Sequence, residues 1–223
     1  MGKEKPFDRV VIVIIFMMAM LLEYREAFSL LEDETLSYRQ ILRTHFGDDF
    51  LTSPSEEVII VYTDEDFYAE YDKYPLRRVD LAIIIKLKYN MGARVIGVDM
   101  LLDFNSAYGE DPALEKAFSR AGNVLLVSQA EIEGGEYKDL NTSIERFDNL
   151  SENGYSNISA NSAISESIVR LRIHEALYDK YAVWPFAVKA VSMFLQKPPK
   201  LEGKSLRIGE EVSVQLDQFS DMY

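Results

Sequence analysis

The sequence predicts an α/β fold in which β-α-β-α-β units build a sheet that contains parallel strands, with helices flanking it. Three short apolar runs, at residues 58–63, 94–101 and 123–127, have the length and composition of strands buried in a parallel sheet. Helical patterns over residues 76–91 and 111–121 lie between them. Strands that alternate with helices of this length are typical of parallel β-α-β connections.

The first helical pattern is bounded by Pro75, which suits the first helical position, and by Gly92, which suits the position just after the helix. Six apolar residues are predicted to form one buried face of this helix: Leu76, Val79, Ile83, Ile84, Leu87 and Met91.

The second helical pattern carries end signals of its own. Asp111 is predicted as the N-cap, Pro112 as the first helical residue and Gly122 as the stop. The run that follows, residues 123–127, is the third predicted strand.

Beyond residue 130 the pattern weakens. Residues 131–153 are polar and contain Gly134 and Gly135, so they are predicted to form a long loop. The remaining predictions are short strands at 155–158 and 168–173, a helix at 182–195 and a hairpin of 206–208 with 212–216.

The N-terminus carries a targeting signal. Lys3, Lys5 and Arg9 precede the uncharged apolar run Val10–Leu22, which is shorter than the roughly 17–25 residues of a spanning helix. A retained signal anchor is the favoured interpretation; a cleaved signal peptide and a buried core helix are the alternatives. The basic flank places the N-terminus in the cytoplasm. The predicted organisation is a cytoplasmic tail at 1–9, a transmembrane anchor at 10–28 and an extracytoplasmic domain at 29–223.

A heptad-like stripe runs from the apolar segment into the following residues. Its members alternate at spacings of three and four: Leu21, Tyr24, Phe28, Leu31, Thr35, Tyr38 and Leu42. The stripe either packs on the sheet of its own domain or pairs with a second copy as a dimer stalk.

Composition narrows the function classes. The formal charge of −13 argues against nucleic acid as the main partner. The chain has no cysteine, which excludes disulfides, thiolate zinc sites and cysteine nucleophiles. With only His45 and His174, it has little material for a histidine-based site.

Charged residues gather where the predicted parallel strands end. Ligands of open α/β sheets bind at the carboxyl ends of strands, and six candidate ligand-binding residues follow from this: Asp64, Asp66, Arg77, Arg78, Asp99 and Asp103. Carboxylates gathered there are able to hold Mg²⁺ or Ca²⁺, whereas turn and capping roles are the plainer interpretation. The two arginines either meet an anionic ligand or pair with these carboxylates.

Common enzyme motifs are absent from the sequence. Residues 63–74 contain no glycine, so a dinucleotide fingerprint cannot follow the first predicted strand. The chain also lacks a P-loop, a G-x-S-x-G elbow and an H-E-x-x-H motif. We therefore predict no catalytic residue, no metal and no cofactor.

The order of these elements resembles the second type of CHASE domain, a family of extracellular sensors associated with cyclases and histidine kinases. The resemblance covers roughly residues 30–216 and is most specific at Gly92–Asp99. Further matching segments are Leu36–Arg39, Val58–Asp64, Tyr74–Arg77, Asp111–Leu114, Gly122–Leu126, Gly154–Asn157 and Ile168–Leu171. The chain departs from the family where Tyr74-Pro75 replaces Trp-Pro, and where Ile164–Ser167 lacks an Asp-Gly turn.

The resemblance implies a non-enzymatic sensor domain in the inner membrane of a bacterium. It implies a small-molecule or protein signal, a homodimer, and an output domain elsewhere in the receptor: a nucleotide cyclase, or else a histidine or protein kinase. One alternative is a membrane-anchored, metal-dependent hydrolase that uses Asp64 and Asp99. Another is an adhesion or assembly module.

Overall fold

The computed structural model describes residues 6–24, 35, 38, 42, 57–133, 136–157, 171–173, 183–216 and 221–222. The chain divides into two compact units. The first comprises residues 1–58 and 159–170, and the second comprises residues 59–158 and 171–223.

In the first unit, helix α1 spans Pro6–Tyr24. Every residue from Val10 to Leu22 is exposed. Among the described residues, no helix combines the length and apolar character needed to cross a membrane. Of the predicted stripe, Thr35, Tyr38 and Leu42 are helical and exposed, whereas Phe28 and Leu31 lie outside the described residues.

The second unit holds the other described elements. Its helices are α2 (Glu65–Tyr71), α3 (Arg78–Asn90), α4 (Asp111–Ala121), α5 (Glu145–Asp148) and α6 (Phe186–Leu195). Its strands are β1 (Ile96–Val98), β2 (Val124–Glu133), β3 (Glu136–Asn141), β4 (Glu152–Tyr155), β5 (Leu171–Arg172), β6 (Trp184–Pro185), β7 (Pro199–Glu202), β8 (Ser205–Ile208), β9 (Val212–Gln215) and β10 (Asp221–Met222).

The central sheet has the order β1-β2-β4-β6, and every neighbouring pair along this path is parallel. Its register pairs Gly97 with Leu125, and Gly154 with Trp184. Strand β3 folds back on β2 as an antiparallel neighbour. This confirms the predicted fold class, a mixed α/β domain with a parallel sheet and flanking helices.

Helices cover both faces of this sheet. On one face, Ile96 and Val98 join a buried core with side chains of α3 and α4, including Ile85, Leu114 and Phe118. Gly97 lies between them and faces the other way, because successive residues of a strand point to opposite faces. A Cβ atom added to Gly97 would lie 3.0 Å from the ring of Phe186, so α6 covers the second face.

A small antiparallel sheet, β7-β8-β9, closes the second unit. It confirms the predicted hairpin, whose turn contains Gly209 in the left-handed conformation, with φ of 62°. Leu206 and Ile208 of β8 pack against Trp184 and Val188 in a second core.

The predicted strand at residues 58–63 was wrong. These residues pair with no strand in the described part of the chain, and the side chains of Val58–Tyr62 are exposed. β-Propensity marks a segment as able to form a strand, but a strand also requires a partner edge. The predicted strand at 94–101 is present in shortened form as β1.

The predicted buried face of α3 was only partly correct, since Leu76 is buried and Val79 and Ile84 are half-buried. Ile83, Leu87 and Met91 are exposed, and the buried side chains are Arg78, Leu81, Ala82 and Ile85. Apolar residues occur on more than one side of α3, so their spacing alone did not identify the buried face. That face also includes a charged residue, Arg78. Pro75 lies three residues before α3 rather than at its first position, whereas Gly92 follows the helix with φ of 86°, as predicted.

Three further boundaries differ from the sequence prediction. The N-cap of α4 is Glu110 rather than Asp111, because Asp111 is already helical. The predicted loop at 131–153 contains β3 and α5 and leads into β4. The helix predicted from residue 182 begins at Phe186, because Trp184 and Pro185 pair with β4 instead.

Candidate functional site: an arginine–carboxylate cluster beside β1

The chain topology brings charged residues together at the carboxyl end of β1. Helix α3 runs back toward the start of β1, so its first turn lies at the end where β1 finishes. The loop after β1 then leads into the first turn of α4. The N-termini of α3 and α4 therefore meet there, and α3 and α4 pack closely against each other.

Arg78 is the buried centre of this cluster, with 7% of its surface exposed. Its guanidinium donates through Nη1 to the Asp111 carboxylate and through Nη2 to the Phe104 carbonyl. It also lies 5.2 Å from the ring centroid of Phe104 and 5.3 Å from that of Phe147. Since a buried charge is tolerated only when it is paired, these contacts explain how an arginine occupies the core-facing side of α3.

Glu110 joins the two helix ends. One of its carboxylate oxygens, Oε2, accepts the backbone N–H of Arg78 at 3.0 Å, and the other, Oε1, accepts Nε of Arg77 at 2.6 Å. Carboxylates are stabilising beside helix N-termini, where unpaired N–H groups concentrate, whereas arginines are not. Glu110 therefore offsets the two arginines at the start of α3.

Arg77 is the more accessible arginine, with 37% of its side chain exposed. The hydrogen bond to Glu110 raises the pKa of Arg77 above its ordinary value, so it stays charged throughout the physiological range. Its guanidinium lies 5.9 Å from the ring centroid of Tyr108. Arg77 thus forms the solvent side of the cluster.

Tyr71 extends the cluster to α2. Its hydroxyl donates to the Asp80 carboxylate and accepts the backbone N–H of Arg77 at 3.3 Å. Burial raises the pKa of Tyr71, and the hydrogen bond to Asp80 raises it further. The hydroxyl therefore stays protonated and ties α2 to the first turn of α3.

Chemically, this is a charge-compensated clamp. Arg77 pairs with Glu110 and Arg78 pairs with Asp111, so each guanidinium already has a carboxylate partner. An anionic ligand would have to compete with these carboxylates. The clamp joins the N-termini of α3 and α4, and the hydrogen bond from Tyr71 to Asp80 joins α2 to α3.

The predicted candidates fall into two groups. Arg77 and Arg78 lie at the expected end of β1. Both pair with carboxylates, which was one of the two interpretations given for them; the other was contact with an anionic ligand. Their partners are Glu110 and Asp111 rather than the predicted acidic residues.

The four predicted aspartates, Asp64, Asp66, Asp99 and Asp103, are exposed. Asp64 has the capping role, since its carboxylate accepts the backbone N–H of Phe67 at 2.8 Å. Within the described part of the chain, no three acidic or histidine side chains gather closely enough to hold a metal ion. A ligand-binding role for the six residues stays a prediction.

Sequence reasoning missed Glu110, Tyr71 and the carbonyl of Phe104. The acidic pair Glu110-Asp111 before Pro112 was a usable signal, because carboxylates favour helix N-termini. The sequence analysis gave Asp111 only a capping role, so its ion pair with Arg78 was not predicted. Nothing in the sequence indicated the carbonyl of Phe104.

The CHASE2 domain model matches residues 10–222, which is nearly the whole chain. The chain belongs to the CHASE2 family, whose members are extracellular sensory domains rather than catalytic ones. Neither the curated proteins nor the solved structures gave a match.

Proposed function

We propose that this chain is the extracytoplasmic sensor of a bacterial transmembrane receptor, anchored in the inner membrane by residues 10–28. The observation that carries the proposal is the family match, which begins inside the apolar segment at residue 10. The exposure of Val10–Leu22 supports an anchor. An uncharged apolar stretch of helix that is exposed on every side suits a lipid environment. Residues 25–28 lie outside the described part of the chain.

We further propose that the receptor is a homodimer whose stalk pairs through the heptad-like stripe. Leu21, Tyr38 and Leu42 are 61%, 64% and 54% exposed. These three side chains are therefore not buried by other residues of the chain. Pairing of two stalks would cover them and link the sensor to the membrane.

Signalling then follows from a shift between two packings of the stalk. A small molecule or protein that binds one arrangement better than the other changes their populations by its difference in affinity. The clamp of Arg77, Arg78 and Glu110 is a suitable relay, because it joins α3 and α4. The proposed output is a nucleotide cyclase, or else a histidine or protein kinase.

Carbonate extraction of bacterial membranes tests the anchor. The full chain should stay in the membrane pellet, because integral helices resist extraction at high pH. A variant with Ile14→Lys and Met17→Lys should move to the soluble fraction, because a lysine at the centre of a membrane helix costs about 2.5–3.5 kcal/mol. The matched control places lysines at the exposed positions Glu210 and Glu211 and should stay in the pellet. Release of the unmodified chain would contradict the proposal.

A further inference from the structure

Residues Ile59–Tyr62 form an apolar segment that the second unit leaves uncovered. Their side chains are between 56% and 79% exposed, although three of the four are β-branched and all four favour strands. The segment ends at a fixed point, since Asp64 caps α2 and the Thr63 hydroxyl donates to the Tyr68 hydroxyl at 3.3 Å. It therefore extends from a defined position on the domain.

Strand β1 offers an open edge in the same unit. The backbone N–H of Ile96 donates to the Asn123 carbonyl at 3.0 Å, so the peptide groups of Ile96 face toward β2. The peptide groups of Gly97 then point the opposite way, because backbone groups alternate sides along a strand. No described strand pairs with that side of β1.

The exposure of Gly97 supports this assignment. Gly97 is exposed although both neighbours, Ile96 and Val98, are buried. Its side-chain direction is blocked by Phe186, whose ring lies 3.0 Å from the position of an added Cβ atom. The exposed part of Gly97 is therefore its backbone, at the edge of the sheet. An open edge of this kind is a template for another strand.

We propose that Ile59–Tyr62 of one copy adds as an antiparallel strand to the open edge of β1 in a second copy. The contact is reciprocal, so each copy donates one strand and accepts one, and the pair closes with twofold symmetry. Backbone hydrogen bonds between the added strand and β1 would hold the two copies together, and the side chains of the segment would add apolar contacts. This inference rests on the dimer of the proposed function and adds a contact within the sensor domain.

Charge favours β1 over a second Ile59–Tyr62 segment as the partner, and within one chain the described segment does not pair with β1. Acidic residues flank the segment on both sides: Glu57 before it and Asp64, Glu65 and Asp66 after it. Two such segments pairing with each other would bring like charges together, which is destabilising. Arg94 precedes β1 and is exposed, whereas Asp99 follows it. The antiparallel orientation brings the three acidic residues beside Arg94 and only one acidic residue, Glu57, toward Asp99, whereas a parallel orientation would bring three acidic residues toward Asp99.

Cysteine cross-linking tests the inference, because the chain has no cysteine of its own. Full-length Tyr62→Cys protein is mixed with full-length Val95→Cys protein in mild detergent and oxidised. We expect a disulfide-linked heterodimer in this mixture, because antiparallel pairing brings these positions together. The matched control mixes Tyr62→Cys with Asp99→Cys and should cross-link several-fold less. Fluorescence of the single tryptophan, Trp184, reports whether each variant is folded.

The outcomes separate this proposal from the receptor dimer. Ile60→Asp should lower the Tyr62–Val95 cross-link several-fold and leave a cross-link through a cysteine at Leu42 unchanged. Preferred cross-linking of Tyr62→Cys with Asp99→Cys would overturn the antiparallel arrangement. An intramolecular disulfide in the double variant, or no strand cross-link while Leu42→Cys still cross-links, would overturn strand exchange and leave the dimeric receptor standing. Loss of every cross-link would contradict both.

Discussion

Replacing Arg78 with methionine removes the charge at the centre of the clamp and keeps most of the side-chain volume. Two hydrogen bonds disappear, those to Asp111 and to the Phe104 carbonyl. The Asp111 carboxylate is then buried without a cation. Removing one partner of a buried ion pair costs about 3–5 kcal/mol, because the other charge is left uncompensated.

The remaining contacts place Arg78→Met near the lower end of that range. Asp111 still accepts the backbone N–H of Ser106 at 3.0 Å. Glu110 still accepts from Arg77 and from the backbone at position 78, which any residue supplies. We therefore expect a loss of about 3 kcal/mol, out of a total that is about 5–15 kcal/mol for a typical domain.

Urea denaturation of the full chain in mild detergent, followed by Trp184 fluorescence, measures the loss. Trp184 is buried in the second core, so it reports cooperative unfolding of the domain. With a denaturant dependence of about 1–3 kcal/mol per molar urea, the midpoint should fall by about 1 M or more. The double variant with Arg78→Met and Asp111→Asn should lose less stability than the sum of the two single variants, because the two side chains interact directly.

Arg146→Ala is the matched control. Its pair with Glu115, at 3.4 Å, is exposed on both sides, so its loss should cost about 0–1 kcal/mol. An equal midpoint for Arg78→Met and Arg146→Ala would refute the clamp. Strict additivity of Arg78→Met with Asp111→Asn would refute the direct pairing.

Three further predictions follow from the packing, the pKa of Tyr71 and the stalk. Gly154→Ala should lower the melting temperature by several degrees, because the new Cβ atom would lie 2.6 Å from the backbone of Phe186. The folded pKa of Tyr71 lies above the ordinary 10.0, so its contribution is complete below that pH and is lost as the pH rises through the folded value. Tyr71→Phe should therefore lose stability less steeply than the unmodified chain in alkaline denaturation curves, and equal slopes would contradict this. A cysteine at Phe28 should cross-link between copies in membranes several-fold more than one at Glu32, and equal yields would argue against a paired stalk.

Local signals predicted the elements that carry their own end markers. Helix α4 was found from Pro112 and Gly122, and the hairpin of β8 and β9 from Gly209, because these residues constrain the backbone wherever they occur. The parallel pairing of β1 with β2 was predicted because the helical pattern of α4 lies between these two apolar runs. These features depend on neighbours in the sequence, so the sequence alone was sufficient.

Features that depend on distant partners were not predicted. The run at residues 58–63 has the composition of a strand, yet strand formation requires an edge that the sequence does not identify. Arg78 was placed at the correct end of the sheet, but its burial depends on Asp111 and Phe104, which lie more than 25 residues away along the chain. A charged residue on a buried helix face is invisible to any count of apolar positions.

The side of the membrane on which the domain lies is the most direct test of the sensor assignment. Glu210 lies exposed in the turn between β8 and β9 and provides a labelling position once changed to cysteine. A membrane-impermeant maleimide applied to intact cells with a permeable outer membrane should label Glu210→Cys fully, and should label Lys3→Cys only after lysis. Labelling of Glu210→Cys only after lysis would place the domain inside the cell and contradict the account.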